Sequence, residues 1–418
     1  MSALLRSWVG SANEAGGAFP LNNLPYGVFS VGNGARRCGV AIGDRVLDVA
    51  ALERAGLFGS GAPLCDGAGW NALMAAGPEV WARFRARLTA LLAEGSPDRE
   101  AVEPHLHPLR DAALHRPFVV AEYTDFYSGR HHATNVGTMF RGAGNALPPN
   151  WLHIPIAYNG RASSVVVSGT GIRRPWGQLK RPDEALPRFA PCRRFDFELE
   201  LGAVVGTPSA GPVTVAEAQA NLFGFVLLND WSARDVQGWE YQPLGPFQAK
   251  ATATTIGPWI VTRAALEPFR RPAPPREVPL LDYLREDAPH FYDIDLSVGL
   301  APPGGAETVL ARTNADALYY SAAQQLAHHT TSGCPMNTGD LLGSGTISGG
   351  ERHQRGSLLE LGWGGREPVT LDTGESRGFL EDGDTLTLRG AARGADHTIG
   401  FGECAGTILP ALTDPYAR

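Results

Sequence analysis

Glu198 and Glu200 stand two residues apart in Phe195-Asp196-Phe197-Glu198-Leu199-Glu200-Leu201. Strict alternation of this kind predicts a strand with one buried face, and it sends both carboxylates, together with Asp196, to the same side. One reading of such a row is a solvated strand edge. The other is a metal site, because hard cations take oxygen ligands from carboxylates held side by side. Two further acids sit in apolar surroundings. Asp230 closes the apolar run from Phe223 to Leu228, and Asp125 lies within Tyr123-Thr124-Asp125-Phe126-Tyr127. Leaving an ion unpaired in such a setting costs on the order of several kcal/mol. A cation shared by Asp125, Glu198, Glu200 and Asp230 would offset that cost, and an all-oxygen set points to calcium or magnesium rather than zinc or copper.

A general base is the natural companion of such a site, and histidine suits that task near neutral pH. His131 and His132 are adjacent, and on an extended segment they face opposite ways, so at most one serves a given site. A local hydrogen bond is the blander fate of either. His328-His329 reads instead as positive charge at a helix C-terminus. The glycine-rich stretch from Gly343 to Gly350 lacks the lysine of a phosphate-binding loop and opens no helix. It reads as tight turns between strands, with exposed backbone N–H groups that a substrate carboxylate could approach.

The elements that must position these residues are short. With 51 glycines and 32 prolines among 418 residues, the chain predicts a loop-rich, mainly β protein. Its length favours two domains. The runs Tyr26 to Val31, Cys38 to Ile42 and Arg45 to Val49 read as strands, the last two joined at Gly43-Asp44. Trp81, Phe84, Leu88, Leu91 and Leu92 recur at helical spacing, and Gly95-Ser96-Pro97 ends that helix. The aperiodic, Pro- and His-rich segment from Pro104 to Pro117 places a domain boundary, giving 1–117 and 118–418. A second helix is expected from about Asp316 to His328, with Asp316 or Asn314 at its N-cap. Arg270 to Pro279, Pro-rich and basic, reads as a surface loop. A net charge of −7 argues against nucleic acid as a partner. Five scattered cysteines give no zinc pattern and suit reduced thiols. No apolar run is long enough for a signal or a membrane span, so no membrane partner and a cytoplasmic location are expected.

Taken together, the motif blocks resemble the fumarylacetoacetate hydrolase family. The resemblance is carried by Tyr123 to Tyr127, His132 to Gly137, Met139 to Gly142, Gly160 to Gly169, Glu198-Leu199-Glu200, Leu228 to Asp235, Pro243 to Phe247, Ser344 to Gly349 and Leu359-Glu360-Leu361. They run in the family's order over nearly the whole chain. The resemblance implies a small SH3-like N-terminal barrel, a large β-rich C-terminal catalytic domain and a homodimer. It implies hydrolysis of the carbon–carbon bond of a small diketo acid, 4-fumarylacetoacetate, to fumarate and acetoacetate, the last step of tyrosine and phenylalanine breakdown. Carried over by position, Asp125, Glu198, Glu200 and Asp230 match calcium ligands, His132 the base, Glu360 the acid that orients it, and Lys250 a catalytic donor. Tyr127, Arg141, Tyr158, Gln237, Tyr241 and Thr346 match substrate contacts. Asp230, Lys250 and Thr254 match a magnesium site, where a lysine could ligate only through its backbone oxygen.

Two positions depart from the family. His131 replaces a glutamine, and Ala251-Thr252-Ala253 replaces a segment containing glycine, whose loss restricts the backbone. Two rival expectations remain. One is a related superfamily hydrolase or decarboxylase acting on another oxo acid. The other is a calcium-stabilised binding protein, although the chain has no EF-hand loop and that reading leaves the histidine, glutamate and lysine without a purpose.

Overall fold

The computed structural model describes residues 3–58, 63–65, 69–414 and 416–417. The protein is mainly β. Its spine is a sheet of 13 strands running from the N-terminal segment into the C-terminal one. The path goes Leu106–Pro108, Arg45–Asp48, Arg37–Ile42, Tyr26–Val31, Trp259–Thr262, Leu222–Asp230, Leu199–Val205, Leu341–Gly343, Tyr123–Phe126, Ala157–Asn159. The hairpin at Gly43-Asp44 forms as its sequence predicts, with Ile42 opposite Arg45 and Gly43 at φ +56°. Ala112–His115, inside the Pro- and His-rich segment, adds to the free side of Tyr26–Val31. The two parts of the chain meet where Tyr26 and Gly27 pair with Ile260 and Trp259.

The strand Leu222–Asp230 is buried along its whole length, which accounts for its unbroken apolar sequence. One of its faces, with Phe225 and Leu227, joins Leu201 and Ala203 in a core shared with a second sheet, whose Leu296, Val298, Leu388 and Phe401 face them. The other face, with Phe223, Val226 and Leu228, packs on the N-terminal segment. There the helix Pro78–Leu92 contributes Phe84, Leu88, Leu91 and Leu92 at the predicted spacing. Each such buried side chain contributes about 1.5–3 kcal/mol.

Two predicted elements differ. The alternating stretch at Phe195 is not one strand. Phe195–Asp196 pairs with Ser232–Ala233, the ladder lapses, and a new strand runs Leu199–Val205, buried on both faces. The helix expected from Asp316 begins six residues later, at Ala322–His329. Asn314 caps only a short 3-10 turn, Ala315–Ala317. Tyr319 and Tyr320 then lie in a bend with both rings packed on Trp151, and Ser321 with Gln324 supplies a full capping box. Arg270–Pro279 opens with a two-residue strand, Arg270–Arg271, before its loop.

Candidate active site

The acids arrive at one end of the main sheet from separate strands. Asp125 on Tyr123–Phe126 lies opposite Gly343 on one side and Tyr158 on the other. Asp230, the last residue of its strand, lies opposite Thr254. Glu198 precedes Leu199–Val205, and Glu200 is within it. All four are buried, and each offers a carboxylate oxygen within 4.8 Å of the others. Asp196, which the alternation places with them, turns away. Its carboxylate accepts from the Leu358 and Leu359 N–H groups and from Arg234 Nε, because the ladder lapse after it breaks the period.

The cluster is short of positive charge. Lys250 Nζ donates to Glu198 Oε2 and Asp230 Oδ2, both at 2.6 Å, and Arg234 Nη1 lies 2.6 Å from Glu198 Oε1. Burial alone would raise the Glu198 carboxyl, but Lys250, Arg234 and His132 hold it well below the usual range. The other three acids go the opposite way. Burial, then the negative charge of their neighbours, pushes Asp125 and Glu200 well above the carboxylate range, and burial also raises Asp230. Asp125 Oδ1, Glu200 Oε1 and Asp230 Oδ1 are buried with no hydrogen-bond partner among the described residues. Four carboxylates facing two cationic side chains leave a deficit that one divalent cation matches. The residues fit a hard cation on their own geometry.

Beside the cluster, His132 lies buried in the helix Arg130–Arg141, not on an extended segment. Its neighbour His131 is exposed, so the helix brings one of the pair beside the cluster. His132 Nδ1 meets Glu360 Oε2 at 2.6 Å, and Nε2 lies 3.2 Å from Thr346 Oγ1 and 3.9 Å from Glu198 Oε1. Glu360 also accepts from Asn135 Nδ2, Ser348 Oγ and Ser357 Oγ at 2.9–3.0 Å. Burial works to raise Glu360, but the charge and hydrogen bond of His132, with those from Asn135 and Ser357, hold it below the usual range. An ionised Glu360 accepts the hydrogen bond from Nδ1–H and keeps that proton on the ring, which leaves the Nε2 lone pair facing the cluster side.

A cavity of about 440 Å³ opens over these groups. Asp125, Glu198, His132 and Lys250 form part of its wall, with Tyr127, Arg141, Tyr158, Gln237, Tyr241 and Thr346 around it. Every residue that the motifs suggested for substrate contact therefore borders one space. Glu200, Asp230, Thr254 and Glu360 stand behind the wall. Tyr158 donates to Asp125 Oδ2 and Asp230 Oδ2 at 2.9 and 3.1 Å, and burial with those charges raises its phenol well above its ordinary range.

Residues 122–409 match the model described as fumarylacetoacetate hydrolase C-terminal, and residues 22–117 match fumarylacetoacetase N-terminal. The chain belongs to the fumarylacetoacetate hydrolase family. Within that family it is 45% identical to the human fumarylacetoacetase over 405 residues, covering 94% of this chain and 97% of the relative. It is 46% identical to the fumarylacetoacetase of Arabidopsis thaliana, covering 98% and 99%. Among solved structures, a fumarylacetoacetate hydrolase from Exiguobacterium antarcticum aligns over 93% of this chain and 99% of its own, with TM-score 0.52 at 16% identity. That likeness concerns the fold.

For this member of the fumarylacetoacetate hydrolase family, the structure adds residues that the motifs did not single out. Arg234 borders the cavity, and its Nη2 is buried with no partner among the described residues. Its only sequence signal was its place between Asp230 and Gln237. Asn135 and Ser348 lay inside motif blocks without a role of their own, and Ser357 lay outside them. The departure at Ala251-Thr252-Ala253 carries no strain, since Ala251 sits at φ −91° and none of the three adopts positive φ. Gly343 is the tighter constraint. A Cβ there would meet Asp125 Oδ1 at 2.7 Å and Glu200 Oε2 at 3.0 Å. Gly343→Ala is therefore expected to weaken divalent-cation binding and turnover by about 10–100-fold, the scale of a disturbed metal environment. Isothermal titration with calcium checks this, and unchanged affinity would count against the carboxylate pair as joint ligands.

Proposed function

We propose that this protein hydrolyses the carbon–carbon bond of 4-fumarylacetoacetate, giving fumarate and acetoacetate. The observation that carries the reading is the His132–Glu360 pair at 2.6 Å beside a buried acid cluster and an accessible cavity. His132 Nε2 removes a proton from water, and the oxygen adds to the ketone carbon of the fumaryl group, which becomes the new carboxylate of fumarate. The bond from that carbon to the adjacent methylene breaks, its electron pair leaves with the acetoacetate fragment as an enolate, and the proton on His132 is available to that fragment. Asp125, Glu198, Glu200 and Asp230 would hold a divalent cation, calcium by the family resemblance. When bound, it supplies charge stabilisation to developing oxyanions.

The remaining groups orient and neutralise. Lys250 is buried, yet Asp230 and Glu198 keep its ammonium protonated, so it donates hydrogen bonds and takes no proton. Gln237 Oε1 accepts from Arg234 at 3.2 Å, which turns its amide N–H groups outward as donors. Arg141 gives Nε to the Asn145 carbonyl and Nη2 to that of Ala146. This fixes the side chain and leaves Nη1 for a substrate carboxylate, with the Tyr127 and Tyr241 hydroxyls nearby on the cavity wall. Thr346 holds the water-side nitrogen of His132. Thr254 and the Lys250 backbone oxygen, beside Asp230, are assigned to a magnesium ion, a reading supported by the buried and unpartnered Thr254 Oγ1.

We assign residues 1–117 to an SH3-like module and 118–418 to the catalytic domain. The five N-terminal strands among the described residues, three of them before the helix Pro78–Leu92 and two after it, support the first. A homodimer follows the family resemblance, and a cytoplasmic location suits five cysteines scattered along the chain. No helix among the described residues is long and apolar enough to cross a membrane.

Two measurements test the assignment. Purified protein mixed with 4-fumarylacetoacetate should bleach the diketone absorbance and yield fumarate and acetoacetate in equal amounts. An unchanged spectrum would refute it. Arg141→Ala should raise KM by about 10–100-fold, the worth of one charge-assisted hydrogen bond, with kcat altered less. An unaltered KM would remove Arg141 from carboxylate recognition.

A further inference from the structure

Asp196 is fully buried, and no step above uses it. Its Oδ1 accepts from the N–H groups of Phe197 and Leu358, and its Oδ2 from the Leu359 N–H and Arg234 Nε, each at 2.9 Å. Those four bonds fill the acceptor capacity of a carboxylate. They also lead to two separate parts of the site. Leu358 and Leu359 open the four-residue helix Leu358–Leu361 that carries Glu360, the partner of His132. Arg234 continues from its anchored Nε to Glu198 Oε1 and Gln237 Oε1 through Nη1, and its Nη2 is buried and unpartnered beside the cavity.

We propose that Asp196 is a positioning residue that sets the base pair His132–Glu360 and the Arg234 guanidinium in register through a single carboxylate. The helix that carries Glu360 has one turn, so its aim depends on what holds its first N–H groups. A guanidinium is planar, so fixing Nε fixes the direction of Nη1 and Nη2. Strand pairing holds the anchor still, with Asp196 opposite Ser232, two residues before Arg234. The inference rests on the roles given above to Glu360 and Arg234.

An amide cannot replace this carboxylate. In Asp196→Asn, the –NH₂ must face either the Phe197 and Leu358 N–H groups or the Leu359 N–H and Arg234 Nε, setting donors against donors. The expected result is a fall in kcat of about 10–100-fold, the scale for a group that orients catalytic ones, with calcium content retained. The discriminating readout is a double-mutant cycle with Glu360→Gln. If Asp196 acts through Glu360, the double variant loses much less than the product of the two single losses. A purely structural role multiplies them, and that result overturns the proposal, as does wild-type kcat in Asp196→Asn. Where Asp196→Asn does not fold, Asp196→Glu carries the same cycle, since it keeps the charge but displaces all four acceptor sites. Wild-type kcat or a multiplicative loss there is equally decisive against the proposal. Wild-type turnover of 4-fumarylacetoacetate is measured alongside. Its absence sinks the proposed function and this inference together, whereas an active wild type with an indifferent Asp196 sinks the positioning role alone.

Discussion

Replacing His132 with alanine is expected to lower kcat by about 10²–10⁴-fold, the range for loss of a positioned general base. The case rests on how little else this imidazole could do. It is buried, its Nδ1 is committed to Glu360, and its Nε2 faces Thr346 and the edge of the acid cluster on the cavity wall. Glu360, which is itself surrounded by Asn135, Ser348 and Ser357, stays ionised and keeps the proton on Nδ1. That arrangement prepares the far nitrogen to accept a proton from water. Steady-state kinetics with 4-fumarylacetoacetate check the prediction, with a melting curve to confirm that the variant folds. Near-normal turnover would take His132 out of the reaction.

Asp230→Ala should be as damaging for a different reason. One of its oxygens is held by Lys250 and Tyr158, and the other is buried without a partner. Its removal takes a ligand from the cluster and leaves the Lys250 ammonium with Glu198 as its one carboxylate at 2.6 Å. Breaking a buried ion pair in this way costs roughly 3–5 kcal/mol. The variant is expected to lose bound divalent metal and to retain less than about one hundredth of the activity. Elemental analysis beside an activity assay measures both, and undiminished metal content would contradict the ligand assignment. Chelation gives an independent reading. A ligand that binds only the folded state raises Tm with its concentration, so calcium should raise the Tm of chelated wild type and leave that of Asp230→Ala nearly unmoved.

The chemistry was legible in the sequence wherever residue type and short-range context sufficed. Asp230 at the end of an apolar run and Glu198 and Glu200 two apart announced a buried acid cluster, and the strand that ends at Asp230 formed where the pattern placed it. Periodicity failed where tertiary contacts overrode it. Asp196 left the row of acids because the ladder lapses after it and the N–H groups of Leu358 and Leu359 claim its oxygens. The second helix started late because Tyr319 and Tyr320 gain more by packing on Trp151 than by turning into a helix. No role for Arg234, Asn135, Ser348 or Ser357 could be read from residue type. Hydroxyls, amides and guanidinium groups are common on any surface, and what selects these four is contact with Glu198, Glu360 or the cavity across long stretches of chain.

Everything in the account depends on four acids, distant in sequence, sharing one cation next to the His132 imidazole. Anomalous diffraction from crystals grown with calcium or manganese tests this most directly. The account predicts a single strong peak about 2.3–2.6 Å (for calcium) from oxygens of Asp125, Glu198, Glu200 and Asp230, with His132 on its cavity side. A peak bonded to other residues, or no peak with these carboxylates still converging, would contradict it.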